Sequence, residues 1–544
     1  MWISLVRRLV LCMIWMICAP AIAHAATLQL VSSAPANNDI DVSRADAITL
    51  QFSTALSPYS VRADTVTLNS AAGSQKVSLN LSGTNITVRP LTPLLPWTTY
   101  TLAAQSLVGN AGEQLAQPVV VTFKTRDAVW QVPLTTDRVA VAQGQVFNQA
   151  TAVNNKGVRF VVWPQSNGIG HDIWAFRHLP GETSSSAPAL VASLGKNNAE
   201  QLQVFVDDNG NAFVTWVMVN PNNFNVPQRS WANRFVAGSG GGWGVPQAID
   251  GYAARSSSNL HLMFDHAGNA LVIWQEWDCC DSDSRQSIVV NHYTQRTGWS
   301  APIHLDDSAG FFDGRTKLAI DDHGNAYAAW SVTEHYWSEI SYIKVSHSSN
   351  FTWSAPQLLA SASMANAEGD PALAVNPRGE AFLMWADDTG LKYAHADELG
   401  RWGVPISIEP NVYHSPSSMV FLDSGIAFAA FRDGVKMFRP DKGWWDWTHP
   451  LLYQQTATTE PRIVADKSGN ALVAWAQYGN SVDDGRTYAK RYRAGSGWLN
   501  PVVLDTGSYV ELEDLFLDSN GSASAAWSEN NEIGTSDMRV ANFK

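Results

Sequence analysis

Cysteine is nearly missing from this 544-residue sequence, which has four, at Cys12, Cys18, Cys279 and Cys280. Two of them fall in the first 25 residues, so a disulfide framework does not hold the remainder together. Charge is sparse as well: Asp, Glu, Lys and Arg make up 16% of the chain, and the formal net charge is −13. That deficit of basic residues argues against a nucleic-acid partner, whose phosphates require a basic face. Beyond the N-terminus no apolar run approaches the ~18 residues of a membrane-spanning helix, so no transmembrane segment is expected in the mature chain. Linear motifs for a nucleophile, a phosphate loop or a metal site are missing too, and no cofactor is expected.

What is present begins with an export signal. Arg7 and Arg8 precede the apolar run Leu9 to Cys18, and Ala23-His24-Ala25 supplies the small-x-small end of a signal-peptidase site. Residues 1–25 therefore read as a signal peptide, with the mature protein periplasmic, secreted or on the cell surface. Residues 28–126 alternate with a period near two, as in Ala47-Ile48-Thr49-Leu50-Gln51-Phe52 and Thr84-Asn85-Ile86-Thr87-Val88. Pro, Gly and Asn turns separate these runs, the pattern of a half-buried β-sandwich.

From residue 128 to 544 a repeat takes over. With a glycine as anchor, an aromatic follows six residues later at Gly157/Trp163, Gly210/Trp216, Gly268/Trp274, Gly324/Trp330, Gly379/Trp385, Gly425/Phe431, Gly469/Trp475 and Gly521/Trp527. Three residues before the glycine stands Asp or Asn, except for Leu422 in the sixth copy. Anchors lie 44 to 58 residues apart, a period that indicates the four-stranded blades of a propeller. The fold expected is all-β, an N-terminal Ig-like β-sandwich followed by an eight-bladed β-propeller, or a seven-bladed one if the sixth copy is degenerate. The last copy lacks a fourth strand, and a matching segment, Trp130-Gln131-Val132-Pro133-Leu134, stands before the first. A strand near 130–134 is therefore expected to complete the last blade.

The first domain resembles the bacterial Ig-like family of surface-layer-type proteins, through Ser33-Ala34-Pro35-Ala36-Asn37-Asn38, Leu94-Leu95-Pro96-Trp97-Thr98-Thr99-Tyr100, Gly109-Asn110-Ala111-Gly112 and Val121-Thr122-Phe123-Lys124-Thr125. That resemblance implies an exported spacer or adhesion module without catalytic residues. The repeat resembles NHL-type and sialidase-like propellers in its Asp-x-x-Gly-Asn turn and blade length. It departs from the sialidase Asp-box, which lies between strands three and four, so no sialidase residues carry over. Eight-bladed quinoprotein dehydrogenases also carry adjacent cysteines, but their Trp docking motif is absent here.

The repeated stretch itself reads as structure: Asp or Asn caps a turn, Gly takes positive φ, and the aromatic packs between blades. Calcium is the one ion the acidic turns bring to mind, and too few oxygens converge in one turn to cage it. Function is expected on the opposite face, where the copies differ. In the third copy, Trp277, Asp278, Asp281, Asp283 and Arg285 surround Cys279-Cys280, which read as a strained vicinal disulfide, part of a metal site, or two thiols. In the fourth, His335, Tyr336, Trp337 and Glu339 offer rings and a carboxylate suited to sugars. At the central mouth, nine residues before their anchors, Arg315, Asp370 and Glu460 form a third candidate set, with salt-bridged packing as the plainer reading. The function expected is binding or adhesion, with a glycan or a cell-envelope or surface protein as partner. The rivals are a polysaccharide hydrolase or lyase and an envelope scaffold.

Overall fold

A computed structural model describes residues 27–131, 134–139, 149–180, 186–223, 226–251, 255–265, 268–278, 286–307, 311–321, 323–333, 340–363, 370–445, 460–478, 484–507, 510–530 and 536–544. Among them no helix is long and apolar enough to cross a membrane. The chain divides into two compact units, Met1–Thr92 with Tyr100–Phe123, and Pro93–Thr99 with Lys124–Lys544.

The first unit is a sandwich of two antiparallel sheets. One runs in the order Leu30–Ala34, Ile48–Phe52, Asn85–Pro90, Val77–Ser82; the other in the order Asp39–Val42, Val119–Thr125, Thr99–Ala104, Val66–Ser70, Gly73–Gln75. Alternation does what the sequence pattern requires: Ile48, Leu50 and Phe52 are buried while Thr49 and Gln51 are exposed. Tyr100 stacks on Phe123 at 5.9 Å between ring centres.

The second unit is an eight-bladed propeller. Its innermost strands are, for blades 1 to 8, Ala150–Val153, Asn198–Val206, Arg255–Phe264, Phe311–Ile320, Ala372–Val375, Ser418–Phe421, Arg462–Ala465 and Val510–Leu517. Each lies beside the next, and the last lies beside the first, so the ring is closed. The sheet of blade 8 has Leu134–Val139 as its outermost strand, antiparallel to Ser536–Phe543. Just before it, Trp130 bridges to Phe543, with the two rings 5.3 Å apart. Outer strands in blades 2, 3, 4 and 7 come in two pieces, for example Gly298–Trp299 and Ile303–Asp306. The break falls at the proline, here Pro302, which has no N–H to give the ladder.

One turn recurs at the same end of all eight blades. In blade 4 the Gly324 N–H donates to Asp321 O at 3.2 Å and the Asp321 N–H to Asn325 O at 2.9 Å. Asp321 Oδ1 accepts the N–H groups of His323 and Asn325, each at 2.8 Å, and Oδ2 accepts Asn325 Nδ2 at 2.8 Å. This is a type I turn closed by a left-handed residue, which favours glycine. The eight anchors have φ between +72° and +86°. Leu422 supplies no side-chain cap, yet its turn keeps both backbone bonds and Gly425 keeps φ +78°. The sixth copy is a full blade because the backbone pattern, not the cap, defines the turn.

The aromatic six residues on wedges each blade against the one before. Trp216 packs on Phe160 and Val162 of blade 1, Trp330 on Leu271 and Ile273 of blade 3, and Trp163 of blade 1 on Ala526 and Val540 of blade 8. Such a side chain removes about 150–250 Å² from water. Acidic residues seven positions after the outer-strand tryptophan add bridges that the repeat does not share everywhere. Asp306 of blade 3 accepts Lys344 Nζ at 2.8 Å and Trp330 Nε1 at 2.9 Å of blade 4. Glu409 accepts Lys436 Nζ at 2.6 Å, and Asp505 accepts Arg539 Nη1 at 2.8 Å. These couple blades 3 with 4, 5 with 6, and 7 with 8.

Candidate functional site

The polar groups of the turn end are spent on the backbone. Asp207 Oδ1 takes two N–H donors and Oδ2 takes Asn211 Nδ2, and Asp466 is filled in the same way. With most of their lone pairs taken by N–H donors, these carboxylates have little left for a ligand, and the concavity of about 470 Å³ at this end, between Val236 and Trp243 of blade 2, has three glycines in its lining and carries no ionisable side chain.

At the opposite end of blade 3 the polar groups face a cleft. Arg255 opens the inner strand there, and Glu276 and Asp278 close the second strand, Ala270–Asp278, directly across the ladder. Arg255 Nε donates to Asp278 Oδ1 at 2.7 Å and Nη1 to Glu276 Oε1 at 3.2 Å. Nη1 also reaches Ser287 Oγ at 3.4 Å, at the start of the third strand. The other Glu276 oxygen is buried with no partner among the described residues. Burial pushes the Glu276 carboxyl above the usual range, against the pull of Arg255 and His304.

His304, on the outer strand, holds Asp307 through Nδ1 at 2.9 Å. Burial pushes the Asp307 carboxyl up, but hydrogen bonds from Ser287 and His304 outweigh it and hold the group below the ordinary carboxylate range. Together Arg255, Ser287, His304 and Asp307 line a cleft of about 330 Å³. The blade 2 side is braced by Arg229, paired with Asp250 through two bonds of 2.6 Å. Guanidinium, hydroxyl, imidazole and carboxylate thus stand side by side in fixed positions, an alternation of donors and acceptors that suits a hydroxyl-rich ligand.

Several residues expected at a site lie elsewhere than the loop reading suggests. Trp277 and Asp278 are not loop residues: the second strand of blade 3 continues to Asp278, because Glu276 and Trp277 still pair with Ser257 and Ser256. Strand alternation then puts Trp277 and Asp278 on opposite faces. The even positions Val272 and Trp274 pack toward blade 2, whereas Leu271 and Ile273 pack toward blade 4. Asp278 reaches the cleft only through Arg255, whose Nε it accepts, and Trp277 lies on the other face. Cys279, Cys280, Asp281, Asp283 and Arg285 lie outside the described residues, as do His335, Tyr336, Trp337 and Glu339, the leader 1–25, and the side chain of Arg315. At the central mouth Asp370 pairs with Lys317 at 3.1 Å. Glu460 stands exposed before the inner strand of blade 7, two blades from Asp370.

Sequence reading missed Arg255, Glu276, Ser287, His304 and Asp307, which are distant in the chain and carry no motif. One signal did exist for the bore: the position seven residues before each anchor, rather than nine, carries His261, Lys317, Arg462 and Asp514.

Residues 25–125 match the family described as the bacterial Ig-like domain. No curated protein matches the chain. Among solved structures, a puromycin-hydrolyzing peptidase of Mycobacterium tuberculosis is 13% identical, with 74% of this chain and 61% of that one covered and a TM-score of 0.41. The NanB sialidase of Streptococcus pneumoniae is 10% identical, with 95% and 93% covered and a TM-score of 0.35. The polysaccharide lyase Uly1 is 8% identical, with 74% and 90% covered and a TM-score of 0.39. This chain covers only 62% of the length of the puromycin hydrolase in another such match. At these scores neither activity nor site residues transfer.

Proposed function

We propose that the protein is an exported binding or adhesion protein that takes a glycan or envelope component on the loop face of the propeller, with the Ig-like domain as its spacer. The observation that carries this reading is the blade 3 cleft, whose side chains are prearranged by each other rather than by a turn. A recognition surface needs that: donors and acceptors held in place before the ligand arrives, so that little ordering cost is added on binding. Export rests on Arg7, Arg8, the run Leu9 to Cys18 and Ala23-His24-Ala25, in keeping with the Ig-like match at 25–125.

A glycan array with the full chain, read beside a reducing-sugar release assay, tests the proposal. Binding without release supports it. Product release from a bound polysaccharide favours the hydrolase or lyase, and recovery of an envelope protein with no glycan signal favours the scaffold.

A further inference from the structure

Seven residues before each turn glycine, every inner strand makes the same cross-strand pair. Ala150 faces Val162, His261 faces Ile273, Lys317 faces Ala329, Arg462 faces Ala474 and Asp514 faces Ala526, always with the residue five after the anchor. Equivalent register puts these positions at one height around the bore. Two of the eight are alanine. Gln203 and Ser418 are spent on the neighbouring inner strand, accepting the N–H groups of Leu262 at 2.8 Å and Ile463 at 3.2 Å. The four that remain, His261, Lys317, Arg462 and Asp514, are ionisable.

Blades 3 and 7 stand half a ring apart, yet the charge of Arg462 reaches His261, as do those of Lys317 and Asp370. It also reaches Glu513 and Asp514 of blade 8. Lys317 is held by Asp370. Arg462 is exposed, and among the described residues no hydrogen bond or salt bridge holds its guanidinium. Glu513 turns instead to Ser528 Oγ at 2.8 Å and Gln149 Nε2 at 3.2 Å. Burial raises both Glu513, to about 7, and Asp514, so these neighbours are reluctant to supply the counter-charge. Burial, with the charge of Lys317, lowers His261 to about 4, leaving a neutral imidazole.

We propose that Arg462 anchors the carboxylate of a small sugar acid in the bore, with His261, Lys317 and Asp514 facing its hydroxyls. A planar guanidinium matches a carboxylate through two parallel hydrogen bonds. This site is separate from the blade 3 cleft and does not depend on it.

Titration calorimetry on the full chain tests the assignment, with D-glucuronate, its methyl ester, succinate and sulfate as probes. Glucuronate is expected to bind, with the uncharged ester and the Arg462→Met variant each weaker by on the order of 30-fold. Arg462→Lys, which keeps the charge but not the fork, falls between. Unchanged thermal unfolding of the Arg462 variants separates lost binding from lost fold. Failure of glucuronate to bind, equal binding of acid and ester, or full binding by Arg462→Met overturns the proposal. So does succinate or sulfate binding as tightly as glucuronate, since recognition would then not involve a sugar acid.

Discussion

At the turn end of blade 4, Asp321 has three N–H donors on its two oxygens; at the loop end of blade 3, Glu276 has one oxygen on Arg255 and the other unpartnered among the described residues. Both carboxylates are buried. The first is satisfied by its own hairpin, and the same solution recurs in six other blades with Asp or Asn. The second depends on residues from different strands and has no counterpart at the matching position of blade 4, where Val332 stands. Recurrence marks groups that close the fold. Departure from the repeat serves the fold at Asp306, Glu409 and Asp505, and at Arg255, Ser287, His304 and Asp307 it lines a cleft.

Four variants sharpen that contrast. Trp330→Ala removes a wedge between blades 3 and 4 and strips Asp306 of one donor; a loss of about 3–5 kcal/mol is expected in chemical denaturation. Glu513 gives a pH effect next in size. Its folded pKa of about 7 lies above the 4.5 of the free group, so the stability it supplies is full at low pH and is lost as pH rises through 7. Glu513→Gln should therefore gain roughly 2–3 kcal/mol on the parent between about pH 5 and pH 8. The contribution of His261, opposite in sign, is common to both proteins and cancels. Asp321→Ala removes a buried carboxylate that holds the N–H groups of His323 and Asn325 and should cost about 1–3 kcal/mol, with ligand binding intact. Asp278→Asn, at an exposed ion pair, should stay within about 0.5 kcal/mol of the parent by thermal melting while glycan signal falls. A turn variant that lost binding but not stability would break the contrast.

The all-β class and the eight blades were legible because each copy states its own turn and wedge locally: Asp321, Gly324 and Trp330 span ten residues. The sixth copy shows why eight survives Leu422, since the turn is made by backbone bonds and the φ of Gly425. The blade 3 cleft was not legible in that way. Arg255 meets Asp278 and Ser287 only through ladder register, and Asp307 arrives from just past the end of the outer strand. The bore set was nearly so. Bulges interrupt the inner strands of blades 2, 3, 4 and 8, as between Ser258 and His261, and the other four begin only at the seventh residue before the anchor, so the shared height lies there and not at the ninth; periodicity alone reveals neither.

The central claim is that ligand is taken at the loop end and not at the turn end. It is tested most directly by glycan-array binding of two single variants, His304→Ala in the cleft and His323→Ala on the exposed side of a turn, each checked for an unchanged melting temperature. The account predicts that His304→Ala loses the parent's signal and His323→Ala keeps it. Retained binding in His304→Ala with loss in His323→Ala would contradict it.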